Sequence, residues 1–153
     1  GTITPDGEGV ILHQRRFNPT VDEGVLYNFD VEVLHNFGDV RGQPYFTPDN
    51  RYLLMLGTER GGAIHVFENE TWEEVGVIET TVRDLSFLPD GTLVFLADGA
   101  LQFWNIEMLS QIGAISVNID TTARDMEISD DGRVITAAAG IANVFVWGIK
   151  NDG

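Results

Sequence analysis

Residues able to do chemistry are plentiful in this chain, but few are spaced for it. The three histidines, His13, His35 and His65, show no His-x-His or His-x3-His pairing of the kind that holds a metal. Asp-Gly pairs occur at Asp6, Asp90, Asp98 and Asp131. A calcium loop needs oxygen ligands at alternating positions, and none of these pairs has them. Asp and Gly are the residues a tight turn selects, so the pairs read as turns. Ser86, Ser110, Ser116 and Ser129 lack the Gly-x-Ser-x-Gly setting of an activated serine, and no glycine-rich phosphate loop is present. With no cysteine at all, a zinc–thiolate site, a thiol nucleophile and a disulfide framework are excluded. The expectation is no catalytic, cofactor-binding or metal-binding set.

Two polar groups remain as candidate partner-binding residues. Arg15, Arg16 and Phe17 stand out in an otherwise acidic chain, inside the stretch Gln14 to Gly24 (QRRFNPTVDEG). That stretch reads as a long, mobile loop inserted into a repeat, dispensable for folding, and such insertions map to one face, often the binding face. The second group is Arg83-Asp84 and Arg124-Asp125, which recur at a spacing of about 41 residues. One reading is a polar rim for a partner. The competing reading is an ion pair that cements neighbouring repeats, and repetition favours it, because a binding site is normally built once.

The net charge of −15 comes from 24 acids against 9 bases, with Lys150 the sole lysine. Binding a phosphate backbone requires Lys and Arg contacts, so nucleic acid and anionic membranes are not expected partners. The acids keep the chain soluble, and any charge-steered protein or peptide partner is expected to be basic. Apolar residues make up 43% of the chain, enough for a core, and no apolar run approaches the ~20 residues of a membrane span.

The elements that must carry these residues repeat. TTVRD at Thr80 and TTARD at Thr121 begin two copies, and Asp6, Asp49, Asp90 and Asp131 fall in one turn column. A second column holds Phe29-Asp30, Phe67-Glu68, Trp104-Asn105 and Trp147-Gly148. A period of about 40–45 residues with four short strands per unit is the pattern of propeller blades. Asn105 to Ser110 is the one stretch suited to a helical turn.

On VRDLSFLPDG, ADGALQFWN and the FTPDN and ITPDG starts, the chain resembles the WD-repeat and related β-propeller families along nearly its whole length. It departs from the WD-repeat pattern in having no Gly-His pair, and Trp-Asn, Trp-Gly, Phe-Glu and Phe-Asp stand where the family has Trp-Asp. The buried network that the family builds from that His, a turn Asp and the Trp is therefore expected to be incomplete, with Asp98 at the turn position of the third unit. The implied fold is all-β: a propeller or propeller segment of about four four-stranded antiparallel blades, near 1–38, 39–79, 80–119 and 120–153, the terminal ones incomplete. Val25 to Phe29 with Val31 to Leu34, and Trp72 to Ile78, are expected as strands. Incomplete terminal blades imply either the remainder of a longer propeller or a second copy of the chain as a partner.

The resemblance implies a non-catalytic platform for protein or peptide partners. The alternative is a propeller enzyme or small-ligand binder, using Asp84, Asp125 and histidines at the channel mouth. A deep funnel holding two or more of those acids would favour the alternative.

Overall fold

Runs of Leu, Val, Ile and Phe, cut every few residues by Pro-Asp, Asp-Gly or Asn-rich turns, give strands and no helix among the described residues. The computed structural model describes residues 1–17, 20–58, 62–117, 123–139 and 143–148, with the backbone alone at 16, 17, 20, 21, 123, 124 and 139. The strands are β1 (Thr2–Ile3), β2 (Gly9–Phe17), β3 (Thr20–Asn28), β4 (Val33–Phe46), β5 (Tyr52–Gly57), β6 (Ile64–Glu68) and β7 (Glu74–Ile78). They continue with β8 (Leu85–Phe87), β9 (Leu93–Ala97), β10 (Ala100–Asn105), β11 (Ser110–Ser116), β12 (Ala123–Ile128), β13 (Val134–Ala139) and β14 (Asn143–Gly148). Each strand pairs antiparallel with its sequence neighbour inside a sheet. The chain divides into two compact units, Gly1–Glu79 and Thr80–Gly153.

In the first unit, β1 to β7 form one continuous ladder because β4 serves two blades. Residues before Val40 pair with β3, and those from Val40 to Phe46 pair with β5. Gly38 and Gly42 take φ of 78° and 76°, which only glycine adopts without strain, and between them the strand leaves one blade and enters the next. Ile11, Leu26, Phe37, Val40, Leu53, Met55 and Phe67 pack between these two blades. In the second unit, β8–β11 form a four-stranded blade and β12–β14 a three-stranded one. Val94, Leu96 and Leu101 of the former close on Met126, Ile135 and Ala137 of the latter.

Four local expectations are corrected. Within Gln14 to Gly24 the described residues, 14–17 and 20–24, are strand and not loop: β2 and β3 pair residue by residue from Gly9↔Asn28 to Phe17↔Thr20, while 18 and 19 lie outside the described residues. Its polar residues suit a two-stranded ribbon, where opposed charges such as Arg15 and Asp22 face each other. Gly24 is there for packing and not for a turn. A Cβ on it would lie 2.6 Å from both Met55 Cε and Val40 Cγ2. The Met55 tip can swing aside but Val40 cannot, so Gly24→Ala is expected to cost about 1–2 kcal/mol in a urea melt. An unchanged midpoint would show that the two blades are not in close contact at this point.

The second correction is at the end of β3. The strand stops at Asn28, whose side chain accepts the Glu32 N–H at 2.9 Å, and Val31 takes a φ of 65° in the turn. Phe29 is thereby carried out to 63% exposure. Third, Trp147 faces Ile135, Trp104 faces Leu93, Phe67 faces Leu53 and Tyr27 faces Val10, so Tyr27 and not Phe29 completes the aromatic column. Fourth, Trp72 is not in the outer strand. It sits at a φ of 60° before β7, half-buried, with its ring edge-on to Phe37 at 5.8 Å. Asn105 to Ser110 forms a turn in which Met108 N–H bonds the Asn105 side chain at 2.8 Å.

Candidate interaction surfaces

The turn column has a physical basis that the sequence only hints at. In three blades a hydroxyl two residues before the Asp donates to its carboxylate: Thr4 to Asp6, Thr47 to Asp49 at 2.6 Å, and Ser129 to Asp131 at 2.7 Å. The same carboxylates accept backbone N–H groups of Glu8, Arg51 and Arg133 at 3.0–3.1 Å. The hydroxyls in turn accept from Gly9, Tyr52 and Val134. In the third blade Leu88 replaces the hydroxyl residue, and the turn closes one residue sooner through Leu88 N–H to Thr92 O. Asp90 keeps only the Thr92 N–H at 2.9 Å.

These bonds favour the charged carboxylate. The Glu8 N–H and the Thr4 hydroxyl hold Asp6 below the ordinary value of 3.8. The Thr47 and Ser129 hydroxyls do the same, as the leading cause, for Asp49 and Asp131. A depressed folded-state pKa contributes stability that is present above the unfolded value and lost as pH falls through the folded one. The urea midpoint is therefore expected to fall between about pH 5 and pH 2, and to fall less when Asp6 and Asp49 are both asparagine. An acid limb unchanged by that pair would remove the turns from the account.

The sequence candidates are dispersed. Arg15 is exposed on β2, its Nε 3.7 Å from Asp22 Oδ1, and His13 Nε2 approaches the same oxygen at 3.5 Å. The Gln14 side-chain amide donates to the Tyr27 hydroxyl. Arg16 and Phe17 lie on β2, but their side chains are outside the described residues, as is that of Arg124. Arg83 is exposed. Asp84 is half-buried and engaged: one oxygen accepts Leu85 N–H at 3.0 Å, and the other accepts Met126 N–H on β12 at 2.7 Å. It thus ties the third blade to the fourth. Asp125, its repeat counterpart, is exposed at a bulge of β12.

Among the histidines, burial lowers the pKa of His35, whose ring tilts over Phe37 at 4.7 Å. His65 Nδ1 lies 2.6 Å from Glu74 Oε2 on the neighbouring strand. Trp104 Nε1 donates to Gln102 Oε1 at 3.1 Å on its own strand, in place of the His-centred network of WD repeats. Asp98 and Gly99, both at positive φ, make the two-residue turn between β9 and β10.

One surface feature had no sequence signal. An open groove of about 510 Å³ in the first unit is lined by Pro5, Asp6, Asn50, Asn69, Glu70 and Trp72. Its walls are a turn of the first blade and two turns of the second, the latter two joined by the Asn69 amide donating to Asn50 O at 2.7 Å. Turns this far apart in the chain meet only through the blade packing, which a local motif cannot report. The acids in it are not the ones proposed for a channel mouth.

No family model and no curated protein matches the chain. Among solved structures it is similar to a chain in the crystal structure of a mitotic checkpoint complex, at 17% identity with a TM-score of 0.74. The match covers 97% of this chain and 49% of that one, so this chain spans about half its length. At that identity the likeness carries the fold alone. Together with the repeated four-stranded sheets and the turn and aromatic columns, it makes this an all-β fold of the β-propeller type, WD-repeat-like in build.

Proposed function

We propose that the chain is a non-catalytic platform for a protein or peptide partner of basic character. The observation that supports this reading is the pairing of β2 with β3, which orders the backbone at Arg15, Arg16 and Phe17 and leaves the Arg15 side chain exposed on an otherwise acidic chain. A paired ribbon loses less entropy on binding than a free loop, because its backbone is already ordered. The acidic residues around it attract Lys- and Arg-rich segments, while the short basic–aromatic run supplies a contact of opposite sign. Arg83, Arg124 and Asp125 are proposed as a second contact area. Asp84 belongs with them in position, although its carboxylate already serves the fourth blade. Further blades, from a longer chain or from another copy, are proposed partners of a different kind, bound through the blade faces.

Panning a random peptide library against the immobilised chain tests the reading. Enrichment of Lys- and Arg-rich peptides is expected, with affinity falling as salt rises. Binding of these basic peptides is expected to weaken in Phe17→Ala, which removes an apolar contact without changing the charge. Absence of any enriched sequence would overturn the platform reading. Turnover of a small-molecule substrate that disappears in Asp125→Asn would replace it with the enzymatic alternative.

A further inference from the structure

We infer that the groove between the first and second blades takes the cationic side chain, arginine or lysine, of a partner segment. The inference deepens the platform reading: it rests on that reading for the partner being a peptide, and on the groove alone for the cation. The repeat makes the groove comparable with its counterpart in the second unit. Pro5, Pro48, Pro89 and Asp130 stand at one position of the four turns, and Gly7, Asn50, Gly91 and Gly132 at another. All of the latter are at positive φ, from 59° at Asn50 to 87° at Gly91. Between the third and fourth blades two of these turns touch: a Cβ on Gly132 would lie 2.8 Å from Pro89 Cδ. The corresponding pair between the first and second blades is Pro5 and Asn50. Asn50 carries there the Cβ and side chain that the closed contact has no room for, and asparagine is one of the few residues that accept a left-handed backbone. Pro5 and Asn50 line an open groove of about 510 Å³ where Pro89 and Gly132 make a contact.

The lining selects the ligand. Its charged residues are Asp6 and Glu70, and none of the lining residues is basic. Asp6 uses one oxygen, Oδ1, to accept both the Thr4 hydroxyl and the Glu8 N–H, and these bonds keep it ionised below its ordinary pKa. Its Oδ2 has no partner among the described residues, and neither has the exposed Glu70 carboxylate. Arg51, next to Asn50, holds its guanidinium 5.3 Å from the centre of the Tyr52 ring and does not line the groove. Trp72 lines the groove and also packs on the core between the two blades, edge-on to Phe37. A cation beside an indole is attracted by the ring quadrupole, and its aliphatic stem covers apolar surface. An anion meets two carboxylates of its own sign, and a neutral apolar group desolvates them without pairing them. The walls are set before binding. Asn69 N–H bonds Arg51 O at 2.9 Å, its side-chain amide bonds Asn50 O at 2.7 Å, and Trp72 N–H bonds Glu68 O at 2.9 Å. A ligand therefore has little of the groove left to order.

Titrating the isotope-labelled chain with acetyl-Gly-Arg-Gly-amide, and following its amide and indole N–H resonances, tests this. A saturable shift of the Trp72 indole N–H is expected in the millimolar range, with this peptide and with its lysine counterpart, and none with its norleucine counterpart. Glu70→Gln is expected to weaken binding about threefold, the scale of one exposed ion pair. Asp30→Asn removes the same charge from an exposed position outside the groove and is expected to leave binding unchanged. No saturable shift with either cationic peptide overturns the inference. So does an equal shift with the norleucine peptide, or a Glu70→Gln effect no larger than that of Asp30→Asn. Basic peptides enriched by panning that bind without moving the Trp72 indole sink this inference alone. Binding of the short cationic peptides in the groove of a chain that enriches no library sequence sinks the platform reading alone.

Discussion

Replacing Phe95 by alanine is expected to lower the stability of the fold by about 3–5 kcal/mol. Phe95 is fully buried at the centre of β9, and all five residues of that strand are buried, on both faces of the sheet. Its ring stacks on Trp104 at 6.2 Å with the planes 25° apart. A cavity made there has no solvent-facing side through which neighbours can collapse, which places the cost in the upper range for a truncated aromatic. Trp104→Ala is expected to cost less. Trp104 is only half-buried, and its indole N–H bonds Gln102 on its own strand. The order is the reverse of what the aromatic column alone suggests, where the larger tryptophan looks dominant. Urea melts of both variants at neutral pH decide it. A Phe95→Ala loss below about 1 kcal/mol would mean that β9 is not an interior strand.

The period was readable because each blade repeats the same solution to the same local problem. A tight turn uses an Asp to hold the backbone N–H two residues on, and Asp6, Asp49, Asp90 and Asp131 all do so. Where two chemistries share one composition, the reading failed. QRRFNPTVDEG is as polar as a loop, but a two-stranded ribbon can be as polar, and only the backbone pairing tells them apart. Phe29 and Tyr27 are both aromatic and two residues apart, hence of the same strand parity. The Asn28 turn, which ends the strand between them, decides which one is inside. Trp72 looked like a strand residue because tryptophan favours strands. Its contact with Phe37 comes from a distant strand and leaves no mark on its neighbours in sequence. The candidate binding residues suffer the same limit. Arg83-Asp84 and Arg124-Asp125 are alike in sequence, yet Asp84 bonds across blades while Asp125 is exposed.

That difference gives the second large effect. Asp84→Ala is expected to cost about 2–3 kcal/mol, the range for losing hydrogen bonds to a charged acceptor. Removing the carboxylate strips two backbone donors at once. Leu85 N–H loses the 3.0 Å bond that starts β8, and Met126 N–H loses the 2.7 Å bond that joins β12 to it. Met126 itself is buried against Val94, Leu96 and Leu101, so water does not freely replace the lost acceptor at its amide. Taking one charge from a chain of net charge −15 relieves some self-repulsion, so the measured loss is a lower bound on the value of the bonds. Asp84→Asn separates the two bonds, because an amide has one acceptor oxygen where the carboxylate has two. It is expected to cost about half as much. Asp125→Ala, at the repeat-equivalent but exposed position, is expected to stay within about 0.5 kcal/mol. Hydrogen exchange supplies the local readout: protection of the Met126 amide should fall in Asp84→Ala and hold in Asp125→Ala. Equal urea midpoints for the two alanine variants, with Met126 equally protected in both, would mean that Asp84 does not tie the blades together and is free to serve a partner.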